Sequence, residues 1–105
     1  MNKPVASKAE VMERLQSARE RLASLGVKGL GLFGSLVTGQ HTPASDVDIL
    51  VEFAPDRHTF DSFMDLSFFL EEILGRRVEL VTPESLSPHI GPHILREVQR
   101  VQVAA

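Results

Sequence analysis

The 105-residue sequence predicts an α/β fold of the α+β kind, a small mixed β-sheet flanked by helices. Two observations carry that reading. The spacing of apolar residues switches between intervals of three or four and strict alternation, in the order helix, strand, strand, helix, strand. Glycines and prolines fall at the switch points, at Gly26, Gly34, Pro55, Gly75 and Pro83. A chain of this length is expected to form one domain over residues 1–105 and to bury roughly two-thirds of the surface its unfolded form exposes.

The first helix starts where Ser7 and Glu10 have capping-box spacing. Val11, Leu15, Ala18, Leu22 and Leu25 then recur as one buried face, and Gly26 ends it. Val27 to Phe33 is short and apolar, a buried strand that runs into a tight Gly34-Ser35 turn. After a polar loop from Gly39 to Ser45, residues 46–53 alternate, with Val47, Ile49, Val51 and Phe53 opposite Asp46, Asp48, Leu50 and Glu52. This is a strand with an acidic end. Phe60 to Leu74 is too long for a strand and stops at Gly75, so it reads as a strongly apolar helix whose phenylalanines belong to the core. An excess of them on the exposed side would mark a partner surface. Arg77 to Thr82 alternates again, with Glu79 opposite Val78 and Leu80, before Pro83 closes the strand. Prolines 83, 88 and 92 break the tail into short turns, followed by a last helix from His93 or a short strand from Val98 to Val103.

Composition excludes several functions. Hydrophobic residues at 43% and charged residues at 24% are ordinary for a folded soluble protein, which argues against disorder. No stretch approaches the roughly 20 apolar residues of a membrane helix, and the start lacks a signal-peptide core, so a cytoplasmic protein without membrane contact is expected. With no cysteine, any metal must be held by oxygen or imidazole. A net charge of −3 argues against stable DNA binding, which draws on clustered Lys and Arg.

The chemistry is concentrated in Leu32 to Phe53. Gly34 allows close backbone approach to a ligand, and a short helix entered at Ser35 would aim N–H groups at an anion such as a triphosphate. Asp46 and Asp48, two apart on a strand with Cα atoms roughly 6.6 Å apart, point the same way and can jointly hold hard cations. Two such ions about 3.5–4 Å apart would clamp both oxygens of an in-line displacement at phosphorus. Glu79 supplies a third carboxylate if its strand pairs beside the Asp46 strand; otherwise it is an edge-strand acid paired with Arg76 or Arg77. Glu52 lies roughly 13 Å beyond Asp48 along the strand and reads as a solvated end. The histidines at 41, 58, 89 and 93 read as surface residues, and Lys28, Arg76 and Arg77 as solvated cations.

Gly34-Ser35, ten residues, then Asp46-x-Asp48 in an apolar strand, preceded by Leu32-Phe33, resembles the polymerase-beta-like nucleotidyltransferase superfamily. The short length resembles its minimal nucleotidyltransferases, many of them antitoxins encoded beside a helical HEPN toxin. The resemblance implies that Asp46, Asp48 and Glu79 bind magnesium or manganese. It implies also that Gly34 and Ser35 hold the triphosphate of ATP, and that AMP passes to a tyrosine hydroxyl of the HEPN partner. Two positions depart from the family pattern. Thr38 stands before Gly39 where an arginine is usual, and Glu79 stands where aspartate is usual. Two alternatives follow: a binding module that neutralises its partner by occlusion, or a small-molecule nucleotidyltransferase.

Overall fold

The computed structural model describes residues 3–101. Helices α1 (Lys8–Ser17) and α2 (Arg19–Ser24) lead into strand β1 (Val27–Phe33), the one-turn helix α3 (Ser35–Thr38) and strand β2 (Val47–Phe53). Helix α4 (Phe60–Leu74), strand β3 (Val78–Val81), a 3₁₀ turn at Pro83–Ser85, helix α5 (Gly91–Glu97) and strand β4 (Gln99–Val101) complete the order. The sheet is mixed, with strands in the order β3-β2-β1-β4. β1 runs antiparallel to both β2 and β4, whereas β2 and β3 are parallel.

The alternation read from β2 sorts its side chains as expected. Val47, Ile49 and Val51 are fully buried, and they join Leu30 and Leu32 of β1 against Val11, Leu15, Leu22, Leu66, Leu70 and Leu74 from the helices. One face of the sheet thus closes the core against α1, α2 and α4. The other face carries Phe33, Asp48 and Leu50, paired across β1 and β2 as Phe33 with Asp48 and Gly31 with Leu50. Gly31 is required there: a Cβ would sit 2.3 Å from a methyl of Val98, so the tail can lie against this part of the sheet. The end bearing the carboxylates stays partly open, with Asp46 and Asp48 half-buried.

Five expectations need correction. The first helix is two helices, because the chain breaks at Ala18 (φ −98°, ψ 10°), whose N–H is shared between the carbonyls of Arg14 and Leu15. The break lets α2 pack on β1. The strand containing Asp46 starts one residue later, at Val47, and that containing Glu79 spans 78–81. In the tail both the helix and the strand exist, the helix from Gly91 and the strand from Gln99; the expected extension through 102 and 103 falls outside the described residues. The phenylalanines of α4 are not all core, since Phe60 is 77% and Phe68 63% exposed.

Capping follows the sequence closely. Ser7 Oγ accepts from the Glu10 N–H and Thr59 Oγ1 from the Ser62 N–H, while Gly26 and Gly75 end their helices with positive φ.

Candidate active site

Gly34 follows β1 and adopts φ 76°, ψ −149°, a conformation that strains any residue with a side chain. Sterics reinforce the choice. A Cβ on Gly34 would lie 2.0 Å from Asp48 Oδ2 and 2.8 Å from its Cγ, so the Asp48 carboxylate rests directly on the glycine backbone. The next N–H, that of Ser35, donates to Asp48.

Asp48 lies beside Glu79 in the parallel ladder, with Val47 beside Val78 and Ile49 beside Leu80. Neighbours in register on paired strands share a face. Asp46 precedes Val47, whose N–H donates to the Arg77 carbonyl at 2.9 Å, so the ladder continues to the strand end that carries Asp46. Asp46 and Asp48 share a face by alternation, and the β2–β3 register adds Glu79 to it.

The electrostatics agree with that proximity. Burial raises the Asp48 carboxyl above its ordinary range, the negative charges of Glu79 and Asp46 raise it further, and the Ser35 N–H opposes them. Three oxygen donors with mutual repulsion suit a hard divalent cation, which would remove it. Among the described residues no three Asp, Glu, His or Cys side chains converge into a ready metal cage, and Glu79 is exposed. The carboxylates share a face without closing on a point.

Neither arginine near Glu79 pairs with it. Among the described residues His93 Nε2 lies 3.1 Å from Glu97 Oε1 and Arg100 forms an ion pair with Glu52, so Glu52 is engaged by a cation across the sheet rather than simply solvated. Arg76 instead donates to the carbonyls of Val5, Thr42 and Ser45. It is no solvated cation. His58 is exposed and stacks on Phe53 at 5.3 Å, while His41 departs from the surface reading: it is half-buried, and its Nδ1 is enclosed without a partner among the described residues. Thr38 is exposed at the end of α3.

Residues 13–101 match the nucleotidyltransferase domain family. The chain belongs to that family. The protein adenylyltransferase MntA of Thermococcus cleftensis is 45% identical to it over 80 residues, 76% of this chain and 77% of the relative. A solved structure of a candidate minimal nucleotidyltransferase superposes with a TM-score of 0.69 at 34% identity, covering 84% of this chain and 93% of the other. A chain from the solved complex of tri-AMPylated Shewanella oneidensis HEPN toxin with MNT antitoxin gives a TM-score of 0.55 at 21% identity, over 85% of this chain and 72% of that one. At that identity the likeness speaks for the fold alone. As a nucleotidyltransferase, the chain has its Gly-Ser turn and its Asp-x-Asp strand directly apposed through the contact of Gly34 with Asp48.

Proposed function

We propose that this nucleotidyltransferase moves AMP from ATP onto a tyrosine hydroxyl of a HEPN-type toxin and so acts as its antitoxin in the cytoplasm. The observation that carries the reading is the apposition of Gly34 to Asp48 with Glu79 in register beside it. It is joined by 45% identity to a protein adenylyltransferase. A protein of the same fold was solved as the MNT antitoxin of an AMPylated HEPN toxin, and a HEPN-type acceptor is consistent with that.

Asp46, Asp48 and Glu79 would hold magnesium or manganese, which supplies electrostatic stabilisation of charge at the phosphates. Gly34 keeps the backbone low enough for the triphosphate to approach, and the Ser35 hydroxyl donates to it. In the reaction the acceptor oxygen attacks the α-phosphorus, the bond to the bridging oxygen of the β-phosphate breaks, and pyrophosphate leaves. Glu79, which is exposed on edge strand β3, would take the proton of the acceptor hydroxyl as general base.

The test is incubation of the purified protein with its HEPN neighbour, ATP and Mg²⁺, read by intact mass. Addition of one or more AMP units to the neighbour, lost with Asp46→Asn/Asp48→Asn, is expected. Tight binding without any mass change under Mg²⁺ or Mn²⁺ would overturn the enzymatic reading in favour of occlusion.

A further inference from the structure

Asp46 is the least supported of the three carboxylates. It precedes β2, at the end of a loop that begins at Gly39 and lacks regular structure. Within that loop, the Ser45 N–H donates to the Thr42 carbonyl at 3.0 Å, and Ser45 Oγ accepts from the Thr42 N–H at 2.9 Å. These bonds shape a turn but do not fix it to the rest of the molecule. The fixing comes from Arg76. Gly75, with φ 66°, ends α4 and turns the chain back toward the loop. From the next residue the guanidinium donates to the Thr42 carbonyl at 2.8 Å, to the Ser45 carbonyl, and to the Val5 carbonyl at 3.2 Å. Among the described residues it has no carboxylate partner. One planar group thus ties the end of α4 to both ends of the turn and to the N-terminal segment. The Ser45 carbonyl belongs to the peptide unit that leads into Asp46.

We infer that Arg76 is a positioning residue for the site: by holding the Ser45 carbonyl it sets where Asp46 presents its carboxylate, acting on the metal through Asp46 without touching it. The inference rests on the proposed reading of Asp46 as a metal ligand. A guanidinium suits the task because its fork of donors reaches several carbonyls at once and stays charged at every relevant pH, whereas lysine offers one flexible point charge. Groups that orient a metal ligand in this way typically alter metal affinity about 10–100-fold when removed.

The experiment measures Mn²⁺ binding to the full chain by electron paramagnetic resonance of the free ion, without nucleotide, at a temperature where circular dichroism shows each variant folded. Arg76→Gln should weaken Mn²⁺ binding by about 10–100-fold and Arg76→Lys by less. Arg14→Gln is the structural control. Arg14 also donates to backbone carbonyls, those of Lys3 and Ile73, neither of which belongs to the 42–46 segment, so its loss should lower the melting temperature and leave Mn²⁺ affinity unchanged. If Arg76→Gln does not fold, Arg76→Lys carries the test. Wild-type affinity in the folded Arg76 variants, with Asp46→Asn weakened, would overturn the inference and spare the metal reading; so would an equal loss in Arg14→Gln. Wild-type affinity in Asp46→Asn, or no Mn²⁺ binding by the wild type, would sink the metal reading and this inference with it.

Discussion

At Gly34 two constraints meet, a backbone with φ 76° and a carboxylate oxygen 2.0 Å from where a Cβ would stand. Gly34→Ala must therefore displace Asp48 or distort the turn, and a misplacement near 1 Å costs about 100-fold in rate. Single-turnover AMP transfer should fall by about that factor, while circular dichroism shows the fold retained. Asp48 itself carries a pH signature. Its folded pKa lies above the ordinary 3.8, so between the two values the folded chain binds more protons than the unfolded one. Raising the pH through that window therefore lowers folding stability, and ionised Asp48 opposes folding at neutral pH. On the proposed metal-binding role, as pH falls Asp48 protonates at a higher pH than an ordinary aspartate, and Mn²⁺ affinity measured across an acidic pH series should decline from that higher point. An unaltered affinity down to the ordinary aspartate range would contradict the role of Asp48.

Helix α4 shows what sequence periodicity can and cannot reveal about an element. Its limits were legible, because Thr59 caps it and Gly75 ends it by local chemistry alone. Thr59→Ala should cost about 1 kcal/mol in urea unfolding, the usual value of such a cap, and Leu70→Ala, at a fully buried core position, about 2–5 kcal/mol. The exposure of Phe60 and Phe68 was not legible. An apolar residue is found in the core only if another element covers it, and coverage depends on tertiary arrangement. The same reason hid the break at Ala18, where neither glycine nor proline interrupts the apolar pattern and the turn serves packing of α2 on β1. Strand β2 was legible almost to the residue, since Val47, Ile49 and Val51 alternate with Asp48, Leu50 and Glu52. For the site, Gly34, Ser35, Asp46 and Asp48 stand out through local spacing. The adjacency of Glu79 depends on strand order, and the grip of Arg76 on the Ser45 carbonyl joins segments 31 positions apart, which no local pattern encodes.

Across the whole molecule, stability and the carboxylate face oppose one another. The core is apolar and continuous from the helices to one face of the sheet, while the other face holds Asp48 raised by burial and by the charges of Glu79 and Asp46. Part-buried, mutually repelling charge of this kind destabilises the fold until something neutralises it. Asp48→Asn removes one of the repelling charges with little change in volume, so its melting temperature at neutral pH should exceed that of the wild type. A cation bound only by the folded state works in the same direction. At tenfold excess over its Kd it stabilises by about 1.4 kcal/mol, which for a chain of this size raises the melting temperature by roughly 6–11 °C. Differential scanning calorimetry with and without Mn²⁺ should therefore show a rise for the wild type and little or none for Asp48→Asn, whose starting point is already higher. The two effects draw on the same electrostatic repulsion, so they should not add. A variant stabilised by the substitution and again, by the full amount, by Mn²⁺ would place the cation elsewhere on the molecule.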